Sequence, residues 1–186
     1  MKFTPALPFE GGQVRPLEAD DRDALFQVYQ QPELPGQRPL EQPEQLDRMI
    51  ELSVQMAATQ RGMMWALEIG NNTDGYQLVG QVSAFDWQPS HLKVMFRVDA
   101  LEAASMAVRA EALKACMGFM AEKYHLRNFG YQWVASQNEA IKGMLQAAGF
   151  ELAATMREAW RIGQTEWLDV EQYHCVLLGT EGEADA

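Results

Sequence analysis

The sequence predicts a single mixed α/β (α+β) domain, with a mostly antiparallel sheet of about seven strands flanked by about four helices. Three observations predict it. Segments of alternating or β-rich character recur along the chain and are separated by turn-forming residues. Two stretches, 103–124 and 138–148, instead carry apolar residues three and four apart. No internal repeat and no linker divides the 186 residues, which suffice for one cored domain over 1–178, followed by an acidic tail over 179–186 expected to lack order.

The elements follow in order. Residues 13–17 read as a short strand, placed at an edge by Pro16. Glu18-Ala19-Asp20-Asp21 supplies helix-start chemistry, and Leu25, Val28 and Tyr29 then fall at helical spacing. Four prolines make 31–43 a loop, and Pro43 suits the first turn of a second helix. Leu46, Met49, Ile50, Ser53 and Ala57 form one face of that helix. Strands are expected over 63–69 and 76–87, joined as a hairpin by Asn71-Asn72-Thr73-Asp74-Gly75, and a third over 91–98. A long helix over 103–124 buries Ala110, Leu113, Met117, Met120 and Tyr124, and 129–135 is the next strand. Asn138 can cap a helix whose stripe is Ile141, Met144, Leu145 and Ala148, with Gly149 as the left-handed residue that ends it. Strands over 151–162 and 167–178 complete the domain.

Composition narrows the function. Fifteen Lys and Arg against 26 Asp and Glu give a net charge of -11. Three of the negatives, Glu181, Glu183 and Asp185, lie in the tail, and the body remains acidic without them. Nucleic-acid binding needs a basic footprint and is not expected. Cys116 and Cys175 stand in no CxxC or metal-ligand spacing, which fits buried thiols in a reducing cytosol. No apolar run approaches the ~18 residues of a membrane span, and 1–12 lack the apolar core of a signal peptide. His91, His125 and His174 are scattered, so neither a catalytic triad nor a zinc site is expected. A cytoplasmic protein that uses no metal is expected.

Several motifs occur in a fixed order: Val14-Arg15-Pro16-Leu17, Glu111-Ala112-Leu113, Asn138, Gly149-Phe150, Arg157-Glu158, and Trp167-Leu168-Asp169-Val170-Glu171-Gln172-Tyr173. In this order and spacing the chain resembles the GNAT superfamily of N-acetyltransferases, in its RimJ/RimL-like branch. The resemblance implies acetyl-CoA as co-substrate and an acceptor that is a small amine or a protein N-terminus. It also implies two adjacent strands that splay apart to admit the pantetheine arm. Here these are the strands over 91–98 and 129–135, with Phe96, Arg97 and Val98 offering backbone groups. The pyrophosphate is expected at the start of the long helix, on Met106, Ala107, Val108, Arg109 and Ala110, because backbone N–H groups and the helix dipole favour anions there. Asn138 is expected beside the cofactor. The amine attacks the thioester directly, so no protein nucleophile is required. Relatives are often monomers or dimers, and the resemblance implies a monomer or homodimer here.

The chain departs from the family pattern at identifiable positions. Glu102-Ala103-Ala104-Ser105-Met106-Ala107 stands where a glycine-rich phosphate turn is expected. Ser105 replaces a glycine that allows close backbone approach, and Glu102 would repel a pyrophosphate. Arg109 and Arg97 can compensate. Ile141 replaces a proton-donating serine, and Trp160 stands where relatives carry an acid. The acid–base candidates that remain are Glu68, Asp86 and Glu158. Glu158 shares a face with Trp160 only if a bulge intervenes. Trp65, Trp87 and Trp160 are candidate walls of an acceptor cleft, with Trp133 beside them. The alternative expectation is a non-catalytic module of the same fold.

Overall fold

In the computed structural model, which describes residues 3–135 and 139–177, the strands are β1 Leu7–Phe9, β2 Gly12–Pro16, β3 Met63–Asn71, β4 Gly75–Gln88, β5 Lys93–Ala100, β6 Asn128–Val134, β7 Glu151–Arg161 and β8 Trp167–Val176. The helices are α1 Arg22–Val28, α2 Gln45–Ala58, α3 Met106–Tyr124 and α4 Glu139–Ala147. All eight strands form one sheet in the order β1-β2-β3-β4-β5-β6-β8-β7. Every pairing is antiparallel except β5 with β6, which α3 connects as a crossover.

Alternation along the strands decides the layers. Trp65 and Leu67 on β3 join a large core with Phe96 and Val98 of β5 and with Leu113, Cys116 and Met120 of α3. Ala66, between them in sequence, lies on the opposite face in a second core with Leu25 of α1 and Leu46 and Ile50 of α2. The sheet is therefore sandwiched between α1/α2 and α3/α4. Most of the expected stripes of α2, α3 and α4 are buried, Leu46, Ile50, Ser53 and Ala57; Ala110, Leu113, Met117 and Met120; Ile141, Met144, Leu145 and Ala148, whereas Met49 and Tyr124 are only half-buried. Burying each large side chain contributes about 1.5–3 kcal/mol.

Local chemistry sets the ends of elements. The Asn71 side chain accepts the N–H groups of Thr73 and Asp74, each at 2.8 Å, and fixes the β3–β4 turn. Gly149 follows α4 with φ +91°, and Phe150 then enters the core.

Three expectations change. The sheet has an additional strand, β1, whose three residues are too short to show periodicity and include Pro8; it pairs with β2 and takes the edge expected of the strand over 13–17. Helix α3 begins at Met106 rather than near residue 103, because the Ser105 hydroxyl accepts the Val108 N–H at 3.2 Å and caps the helix there. Strand β5 begins at Lys93, since Pro89–His91 form a 3₁₀ turn and Leu92 is left-handed, with φ +52°. Asn138 and the tail over 179–186 lie outside the described residues.

Candidate functional site

Strands β5 and β6 share only the pairs from Lys93↔Asn128 to Phe96↔Tyr131. Both then continue without each other. β5 follows β4 as far as Ala100↔Gly80, and β6 follows β8 as far as Val134↔Val170. The parallel pair therefore opens into a split beyond Phe96. Across it Val98 donates its backbone N–H to the Tyr131 hydroxyl at 3.2 Å. Burial raises the Tyr131 pKa above the ordinary phenol value and keeps that hydroxyl neutral.

The split opens onto a cleft of about 280 Å³. Phe85, Phe96 and Arg97 form one side, Gln132, Trp133 and Val134 the other, and Met156, Ala159, Trp160, Val170 and Leu34 the rest. The indole N–H of Trp133 is buried and has no hydrogen-bond partner among the described residues.

Leu34 belongs to the proline-rich loop, and side chains of the body hold its part around Leu34 at Glu33, Pro35 and Gln37. Arg109 Nη1 meets Glu33 Oε1 at 2.5 Å, Trp160 Nε1 donates to the Pro35 carbonyl at 2.8 Å, and Arg97 Nη2 donates to Gln37 Oε1 at 3.1 Å. The β7 wall depends on a bulge, because the pairing of β7 with β8 is interrupted between Met156 and Trp160. Glu158 there has φ +51°. Its backbone N–H is held by Asp169 Oδ1 at 2.9 Å. Asp169 of the terminal motif thus shapes the strand that carries Trp160.

The turn from β5 into α3 leaves Glu102 and Ala103 exposed. Arg109 points inward from the first turn and is 2% exposed. Besides Glu33, it donates to the carbonyls of Ala104 at 3.0 Å and of Ala100 and Leu101, each at 3.2 Å. It therefore ties strand, turn, helix and loop together from within.

Of the expected site residues, Phe96, Arg97 and Trp160 meet in the cleft, and Val98 stands at the split. Met106, Ala107 and Val108 form the first turn of α3, with Arg109 and Ala110 buried behind them. Trp65 and Trp87 do not reach the cleft. Trp65 is fully buried and stacks on Phe96 at 6.4 Å, and Trp87 packs edge-on against Tyr124 at 4.7 Å. The three acid–base candidates do not line it either. Glu68 lies two strands from β5 and accepts from Arg15 at 2.9 Å and Gln13 at 2.6 Å. Asp86 sits at a β4 irregularity with φ +48° and lines a separate polar pocket with Lys93 and His174. Glu158 is exposed on the β7 bulge.

Sequence reasoning missed Glu33, Leu34, Tyr131 and Met156. Glu33 is 76 positions from its partner Arg109, and a proline-rich loop carries no periodicity to mark Leu34. Tyr131 alternates with Phe129 and Trp133 and reads as core. Among the described residues no cluster of three His, Cys, Asp or Glu side chains could hold a metal. No described helix is long and apolar enough to cross a membrane.

A family model described as an acetyltransferase (GNAT) domain matches residues 13–151. No curated protein matches the chain. Among solved structures, the acetyltransferase of Salmonella typhimurium that modifies the N-terminal serine of a 50S ribosomal subunit protein aligns with TM-score 0.76 and 16% identity, over 92% of this chain and 99% of that one. The microcin C7 self-immunity acetyltransferase MccE, in complex with acetyl-CoA and AMP, aligns with TM-score 0.75 and 11% identity, over 91% and 94%. A chimera of spermidine N-acetyltransferase SpeG from Vibrio cholerae and hSSAT aligns with TM-score 0.75 and 14% identity, over 90% and 96%. At these identities the likeness establishes the fold.

Proposed function

The chain belongs to the acetyltransferase (GNAT) domain family, and we propose that it transfers an acetyl group from acetyl-CoA to a primary amine on a protein N-terminus or a small molecule. One observation carries this: β5 and β6 part beyond Phe96↔Tyr131 directly over a cleft. A strand edge without a partner strand can pair with an amide-bearing chain, and the pantetheine arm is such a chain. The backbone of Val98 faces this gap. The first turn of α3 supplies N–H groups and a dipole for the pyrophosphate.

Chemistry at the split needs no protein nucleophile. The amine nitrogen attacks the thioester carbonyl carbon, the C–S bond breaks, the nitrogen loses a proton and the departing sulfur gains one. The apolar walls exclude water that would compete with the amine. The two buried free cysteines fit a reducing cytosol.

Calorimetric titration with acetyl-CoA, paired with a thiol-release assay over a panel of amines, tests this. Saturable binding with amine-dependent thiol release is expected. Absence of heat up to the millimolar range would overturn the proposal.

Specific observations favour a second function, a non-catalytic binding module. Tyr131 already holds the Val98 N–H, Ser105 already holds the Val108 N–H, and Glu102 adds a negative charge at the same turn. Binding without thiol release for any amine would support this module.

A further inference from the structure

We propose that the acceptor taken by this cleft is an α-amine carrying a large apolar or aromatic side chain, such as a peptide N-terminus that begins with such a residue. A polyamine or a lysine-type amine is excluded. This rests on the acetyl transfer proposed above.

The first ground is the cleft's lining. Leu34, Phe85, Phe96, Met156 and Trp160 surround it, and only Arg97 and Gln132 are polar. Such a wall binds an apolar side chain and gives a second ammonium no carboxylate to pair with.

The second ground is the absence of an acid. No described lining residue is acidic. Asp99 is held by Arg97 at 2.8 Å and Glu33 by Arg109 at 2.5 Å, and Glu158 is exposed on the β7 bulge without lining the cleft. An ammonium that entered would lose its hydration with no lining carboxylate to offset the loss. The amine must therefore enter neutral. An α-amino group with a pKa of about 7.7–8.0 is neutral in roughly one molecule in three at about pH 7.5, and a lysine-type amine near 10.4 in roughly one in a thousand.

The third ground is Arg97 itself. Its Nε and Nη2 meet Asp99 and Gln37, and a guanidinium carries five N–H donors in all. Nη1 has no hydrogen-bond partner among the described residues, and Arg97 lines the cleft, so Nη1 is the donor available to the carbonyl that follows an α-amine in a peptide.

The test is thiol release from acetyl-CoA at about pH 7.5 with phenylalaninamide, glycinamide, phenethylamine, Nα-acetyl-lysine and spermidine. Phenylalaninamide is expected to exceed glycinamide in kcat/KM by about tenfold or more, the scale of one apolar side chain in a pocket. It should exceed Nα-acetyl-lysine by about three hundredfold, following the neutral fractions. Arg97→Gln should reduce the ratio of phenylalaninamide to phenethylamine turnover, and Trp160→Ala the ratio of phenylalaninamide to glycinamide. Equal rates for glycinamide and phenylalaninamide, or preference for spermidine or Nα-acetyl-lysine, overturn the inference and leave acetyl transfer standing. Acetyl-CoA binding with none of these amines accepted also overturns it. Failure to bind acetyl-CoA in calorimetry overturns acetyl transfer itself.

Discussion

The Tyr131 hydroxyl accepts the backbone N–H of Val98 at 3.2 Å, two residues beyond the last β5 position paired to β6. A side chain from one strand thus stands in for the missing ladder bond of the other. Tyr131→Phe removes it and leaves a buried N–H without a partner, at a cost of about 1–2 kcal/mol. Urea denaturation should register that loss. If pantetheine pairs with Val98, the same variant frees the group it needs, so its acetyl-CoA Kd should be no weaker than wild type. A Kd weakened about tenfold would mean that Tyr131 itself contacts the cofactor.

Arg109 is buried against Glu33, whose second carboxylate oxygen, Oε2, is also buried and lacks a hydrogen-bond partner. Arg109→Met leaves that carboxylate without its cation and is expected to cost about 3–5 kcal/mol. Adding Glu33→Gln removes the orphaned charge and should restore part of the loss. A double-mutant cycle from chemical denaturation measures the coupling. Additive single losses would show that the ion pair does not hold the proline-rich loop to α3.

The fold was legible because its signals are local. Ile141, Met144 and Leu145 are buried at their helical spacing, and Asn71 turns the chain between β3 and β4. Some of the ordered motifs shape the ends or bends of elements, as Gly149 does after α4. Asp169 is another case, since it holds the Glu158 N–H and so shapes the β7 bulge. The cleft was less legible because it depends on partners distant in sequence. Arg109 looks like a solvated helix residue until Glu33 and three carbonyls surround it. Trp65 and Trp160 are the same residue type on strands, yet one stacks in the core and the other donates to Pro35 at the cleft. Periodicity does not reveal which side of a split strand pair a tryptophan faces.

His174 shares its pocket with Lys93. Its Nδ1 meets Asn128 Oδ1 at 2.5 Å, and its Nε2 meets the Gln172 amide at 3.1 Å. A neutral ring that donates from Nδ1 and accepts at Nε2 satisfies both. Burial first, and then the Lys93 charge, lower its pKa below the ordinary imidazole value. The unfolded chain therefore takes up this proton first as pH falls. The stabilisation is present above about pH 6.5 and is lost as pH drops through the lower folded value. His174→Gln should flatten stability against pH between about pH 7 and 5, measured by urea midpoints. An unchanged slope would remove His174 as its source.

The Glu158–Asp169 contact predicts opposite effects from its two partners. Glu158 carries φ +51°, a conformation that costs a non-glycine residue roughly 1–2 kcal/mol. Glu158→Gly relieves that strain, and thermal or urea denaturation should show a gain of about 1 kcal/mol or less, since glycine also adds unfolded-state entropy. Asp169→Ala removes the acceptor and should cost about 1 kcal/mol at this partly solvated site. It should also raise KM for the amine more than it lowers kcat, because the bulge positions Trp160 and not the thioester. A fall in kcat alone would place Asp169 in the chemistry.

Ser105 and Glu102 bear most directly on cofactor binding. The Ser105 hydroxyl accepts the Val108 N–H, so the helix end caps itself with a group that a pyrophosphate would otherwise meet. Glu102 is exposed three residues earlier, on the turn that leads into that end. Replacing Ser105 by glycine costs only a few tenths of a kcal/mol of helix stability. It frees the Val108 N–H and lets backbone approach phosphate closely. Glu102→Gln removes the repelling charge. Each variant should tighten acetyl-CoA binding by a few-fold, and the double variant by about tenfold, an effect near 1.4 kcal/mol. The Glu102→Gln gain should shrink as salt rises and screens the exposed charge, and the Ser105→Gly gain should persist. Calorimetry at low and high salt separates the two. If neither variant tightens binding, the pyrophosphate does not sit on the first turn of α3, and the Val108 N–H is only a helix end satisfied by its cap.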